Sequence, residues 1–147
     1  MGFLLLCIGC GPTPEERYNT ALSVLEKEKD AMAEAERSLV SSEDIARKEA
    51  YRQMYGEYPM TEEMIEIIRH AELEPGSEHE KKNEAKIQAD LDRQAEFASK
   101  LHDSDSKQHG LYYDQLKKLK GYVAHEQQKA RLERAQSMVR DAESALD

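Results

Sequence analysis

Tyr18, Leu25, Met32 and Leu39 recur every seven residues, with Leu22 beside them, in a stretch that has no glycine or proline between Pro14 and Gly56. Seven residues are two helical turns, so such a repeat lays one apolar stripe along a helix. The spacing predicts a first helix from about Pro14 to Val40, with Glu15 and Glu16 suited to the positive end of its dipole. Alanines 31, 33 and 35 widen the stripe and would let a neighbour come close. Composition decides what such helices can build. Ala, Glu, Lys, Arg and Leu make 72 of the 147 residues, the composition of long helices, whereas Leu, Ile, Val and Phe total only 26. The expected fold class is therefore all-α: elongated helical hairpins or a loose helical bundle with coiled-coil segments, forming a single helical domain over residues 15–147.

The remaining punctuation is local. Ser41 and Asp44 have capping-box spacing, which predicts a second helix from there to Tyr55, ended by Gly56. Tyr51, Tyr55 and Tyr58 crowd this turn, either as an aromatic platform for a ligand or as amphipathic rings closing a helix hairpin. Thr61 is expected to cap a third helix to about Leu73, whose Met64, Ile65, Ile67, Ile68 and Ala71 should anchor the core. Glu74-Pro75-Gly76 ends it, and Ser77-x-x-Glu80 is a full capping box for a fourth helix to about His102. Ile87, Leu91, Gln94, Ala98 and Leu101 then form a short coiled-coil seam. After the break at Asp103–Ser106, one long helix is expected over Lys107–Leu146. Gly110 and Gly121 are its weak points, and its apolar register shifts between Ala130 and Leu132.

The first eleven residues, MGFLLLCIGCG, differ in kind from all that follow. Phe3–Ile8 is an uncharged apolar run, far short of the roughly 20 residues a spanning helix needs. Leu6-Cys7-Ile8-Gly9-Cys10 resembles the lipobox of bacterial lipoproteins, with a small residue before the cysteine and Cys7 where leucine is usual. The resemblance covers about ten residues. It implies a signal peptide over residues 1–9, acyl chains such as palmitate on Cys10, and a tether over residues 10–14. It also implies a membrane partner through the lipid anchor and a cell-envelope location, in the outer membrane if the source is Gram-negative. Both cysteines, Cys7 and Cys10, lie here. A redox CxxC belongs at a helix start near a βαβ pattern, which this chain does not offer.

No catalytic apparatus is legible, so the chain is not read as an enzyme, and no cofactor or small-molecule substrate is implied. Glu-x-x-His pairs and His-Glu-x-x-His are both absent. The cluster His102, Asp103, Asp105 and His109 departs from a calcium loop, with Lys107 and Gln108 at ligand and glycine positions. Lys117, Lys118 and Lys120 form a basic cluster near the chain's end, but a net charge of -9 argues against nucleic acid. These lysines and the three tyrosines are the candidate interaction surface. The expected function is a cell-envelope lipoprotein with a non-catalytic, structural or protein-interaction role, through another protein or self-association. The alternative is an intracellular coiled-coil adaptor or nucleic-acid-associated protein whose apolar N-terminus is buried.

Overall fold

The computed structural model describes residues 11–71 and 74–146; Cys7, Cys10 and Leu73 lie outside them. Among the described residues there are five helices and no strand, an all-α bundle: α1 (Pro14–Tyr55), α2 (Glu62–Arg69), α3 (Glu78–Lys100), α4 (Lys107–Leu116) and α5 (Lys120–Glu143). The chain divides into two compact units. One takes the residues up to Val40 with those from Val123 on; the other is Ser41–Tyr122.

The expected start at Pro14 is met by a device the spacing alone did not reveal. Thr13 Oγ1 accepts from the Glu16 N–H at 3.2 Å while Glu16 Oε2 accepts from the Thr13 N–H at 2.8 Å, a reciprocal capping box. The expected break at Ser41–Asp44 does not occur, and α1 runs unbroken to Tyr55. Serine costs a helix only about half a kcal/mol against alanine. Ser42 is buried on the inner face of this unbroken helix rather than standing at a cap. The helix ends where Gly56 adopts φ +82° and its N–H bonds the Arg52 carbonyl at 2.8 Å. Only glycine takes that backbone conformation cheaply.

In the first unit α1 leads out and α5 leads back, so the two run antiparallel. Ala21 and Ala35 are buried on α1; Gln128 and Ala135 are buried on α5. Gln128 donates to the Glu28 carbonyl at 3.2 Å and to its carboxylate. Seven residues back along α1 and seven forward along α5 from that pair stand Ala21 and Ala135, whose small side chains permit close helix approach. The inward positions of α5 are therefore His125, Gln128, Leu132, Ala135, Val139 and Ala142, evenly spaced by three and four, whereas Val123 and Ala130 are exposed. The expected register shift is absent because polar side chains hold seam positions that a hydrophobic pattern does not count.

The second unit holds Ala46, Ala50 and Tyr51 of α1 with Ile65, Ile87, Phe97, Leu101, Tyr112 and Leu116 in its core. Three expectations are corrected here. The α3 seam passes through Ile87, Asp90, Phe97 and Leu101, with Gln94 half-buried, and leaves Leu91 and Ala98 exposed. The helix has turned to bury Phe97 and a hydrogen-bonded Asp90. α2 is only eight residues long and buries Ile65 alone, so it borders the core rather than anchoring it. The long C-terminal helix is broken, but not at a glycine. Lys118 N–H bonds the Gln115 carbonyl at 3.1 Å and Leu119 N–H the Leu116 carbonyl at 3.0 Å, tightening the chain to i→i+3 bonds before α5 begins.

Candidate interaction surface

The best-built feature of the Ser41–Tyr122 unit is a carboxylate with no exposure at all. Asp90, on α3, is 0% exposed. Its Oδ1 accepts from the Tyr51 hydroxyl at 2.7 Å; its Oδ2 accepts from the Met60 N–H at 3.0 Å and from Gln94 Nε2 at 2.6 Å. Arg93 Nη2 lies 3.6 Å from Oδ1 and donates to Glu57 at 2.7 Å. Gln94 Nε2 also donates to the Met60 carbonyl at 3.0 Å. α1, the Gly56–Thr61 turn and α3 are thus tied together at one side chain. Burial pushes the Asp90 carboxyl up, but the three hydrogen bonds and the Arg93 charge outweigh it and hold the group below the usual aspartate range. Burial, and then the bond to Asp90, push the Tyr51 phenol well above its ordinary value. A buried anion that accepts three hydrogen bonds from α1, the turn and α3 fastens them together.

This arrangement separates the three tyrosines of the candidate surface. Tyr51 is 2% exposed, its ring 4.7 Å from Tyr55 and 5.6 Å from Phe97, so it has no face to offer a partner. The candidate surface read from the sequence includes Tyr51, and this is corrected: the structure buries it, with its hydroxyl bonded to Asp90 and its ring packed on Tyr55 and Phe97. Tyr55 is half-buried under Arg93, whose Cζ lies 5.7 Å from the ring centroid. Tyr58 alone is open, at 57% exposure. Its hydroxyl donates to Glu49 at 3.1 Å. The Arg52 hydrogen bond, with burial opposing it and Tyr58 assisting, holds the Glu49 carboxyl down to about 2.

Lys117, Lys118 and Lys120 are exposed on and beside the turn that joins α4 to α5, and among the described residues none has an ion-pair partner. Tyr58 and Lys118 come together, with Ile45, Ala46, Lys48, Glu49, Gln115 and Leu119, around a groove of about 300 Å³. Sequence reasoning missed Ile45, which is 51% exposed in the middle of a helix. It lies off the seven-residue stripe, and that was the only available signal. A second recess of about 260 Å³ opens over Tyr51, Met60, Gln94 and Phe97. Tyr51 and Gln94 commit their polar atoms to Asp90 and Met60, and Asp44, Arg47 and Lys48 bring charge to the recess's rim.

The His102–His109 cluster does not assemble. His109 Nδ1 is 2.9 Å from the Leu101 carbonyl and its ring packs on Tyr113, while Asp103 accepts from the Asp105 N–H at 3.1 Å. Among the described residues, no three His, Cys, Asp or Glu side chains are placed to hold a metal ion. No protein-family model, no curated protein and no solved structure matches this chain, so what its surface does has to be argued from its own residues.

Proposed function

We propose that the chain is a cell-envelope lipoprotein, acylated on Cys10, whose helical body works by contact with protein rather than by catalysis. The observation that carries this reading is the Gly9-Cys10 boundary, where an uncharged apolar run gives way at once to a polar helical body. Gly11, Pro12 and Thr13 are all that separate Cys10 from α1, and three residues span at most about 10 Å. Arg17 Nε donates to the Pro12 carbonyl at 3.1 Å, which shortens the free tether further. On this reading α1 starts close to the bilayer surface. No described helix is long and apolar enough to cross a membrane. Attachment then rests on the acyl chains, of which a stable anchor needs more than one.

The contact role is supported by where the chain keeps its polar chemistry. Asp90 and Gln128 fasten helices, while exposed Ile45, Tyr58 and Lys118 gather around one groove. Intact mass of the native protein, with palmitate labelling of wild type and Cys10→Ala, tests the proposal. Cleavage before Cys10 with added acyl mass is expected, and the label should vanish in the variant. A soluble protein retaining its first residues would overturn the anchor and favour the intracellular adaptor, as would label that survives Cys10→Ala.

A further inference from the structure

Two exposed apolar surfaces of the Ser41–Tyr122 unit carry opposite charge. The first is the outer face of α2. Met64 and Ile67, three residues apart and so on one face, are 47% and 65% exposed. Glu62, Glu63 and Glu66 beside them are exposed as well, and the helix's one arginine, Arg69, is paired to Glu84 at 3.0 Å. The second is the groove of Ile45, Tyr58 and Leu119, whose wall also holds Lys118 together with Lys48 and Glu49, the last two already paired to Asp44 and Arg52; Lys117 and Lys120 flank Lys118 along the chain and are exposed. An amphipathic helix with anchors at i and i+3 is the shape that helix-in-groove recognition uses, and clustered exposed apolar side chains mark such contacts.

We infer that these surfaces are partners across two copies of this chain. α2 of one copy seats Met64 and Ile67 against Ile45, Tyr58 and Leu119 of the other, with Glu62, Glu63 and Glu66 facing Lys117, Lys118 and Lys120. Charge is what selects a second copy as occupant. The groove wall carries Lys118, with exposed Lys117 and Lys120 beside it along the chain, none of the three with an ion-pair partner among the described residues, and the same unit presents an apolar helix flanked by three glutamates. The exchange is reciprocal, so each copy gives one helix and receives one, which closes a two-fold dimer. The inference deepens the contact reading above and does not depend on the anchor.

Sedimentation velocity of the full chain carrying Cys10→Ala, which has no acyl chains, tests it at about 50 µM, where a dissociation constant of about 10 µM or tighter leaves most of the chain dimeric. A dimer is expected. Lys117→Glu/Lys118→Glu/Lys120→Glu and Glu62→Lys/Glu63→Lys/Glu66→Lys should each be monomeric, because groove and helix then carry the same sign. An equimolar mixture of the two should dimerise again, since each reversed surface meets its complement. Ile67→Gln gives a readout free of charge and should weaken the dimer at least tenfold with the helical circular dichroism unchanged. A monomeric parent would overturn the inference and leave both surfaces to other partners; so would a dimer that survives both reversals. Palmitate labelling reports on the anchor alone and sedimentation on the dimer alone, so either proposal can fail without the other.

Discussion

Replacing Tyr51 by phenylalanine removes one oxygen from the most enclosed point of the Ser41–Tyr122 unit and leaves the ring in place. The ring contacts at 4.7 Å to Tyr55 and 5.6 Å to Phe97 persist, so the change in stability reports the 2.7 Å bond to Asp90. That bond ends on an ion. Asp90 keeps Met60, Gln94 and Arg93, so it is weakened rather than orphaned. A hydrogen bond to a charged group contributes about 1.5–3 kcal/mol, and the middle of that range, about 2, is expected at pH 7. With a urea m-value of about 1.5 kcal/mol/M, the midpoint followed by helical circular dichroism should fall by roughly 1.3 M with an unchanged slope. The dependence on pH has a definite sign. The folded carboxyl of Asp90 lies below its unfolded value of about 3.9, so its contribution is complete above that pH and is lost as pH falls through the folded value. Wild type should therefore lose more stability in acid than Tyr51→Phe, and the gap between them should narrow. A gap under about 0.5 kcal/mol at pH 7, or one that stays constant into acid, would refute the claim that a charge-assisted bond fastens α1 to α3.

At the alkaline end, burial pushes the Tyr112 phenol to about 12 and raises Tyr51 further, both above their unfolded value near 10. The stability linked to them is present below pH 10 and is lost as pH rises through the folded values, so absorbance at 295 nm should show these two phenolates appearing last, together with unfolding. Gly110→Ala and Gly56→Ala should act in opposite directions. The first sits in helix α4 with nothing within 4 Å of an added methyl and should stabilise by about 0.5–1 kcal/mol; the second meets no clash either but must hold φ +82° and should cost about 1–2 kcal/mol, both read from denaturant midpoints. Glu43→Pro separates a helix that begins at Ser42 from one that passes straight through. Proline is tolerated in a first turn but costs about 3 kcal/mol in a helix interior, and the larger loss of thermal stability is expected.

Much of this architecture is written in neighbouring residues and is legible without a fold. Thr61 accepts from the Met64 N–H, Ser77 from Glu80 and Ser106 from His109, and Gly56 and Gly76 adopt positive φ where turns were expected. Caps and turns are bonds between residues three or four apart, so the sequence contains both partners. Which face each helix buries is another matter. Asp90 and Gln128 occupy buried positions that a hydrophobic pattern treats as solvent-facing, because each is met there by hydrogen-bond partners far away in the chain. Tyr51 is 39 residues from Asp90 and Glu28 is 100 from Gln128. The meeting of Tyr58 with Lys118, 60 residues apart, has the same origin. Local chemistry chose helices and most of their ends, while long-range pairing chose the faces, and with them the surface left open for a partner.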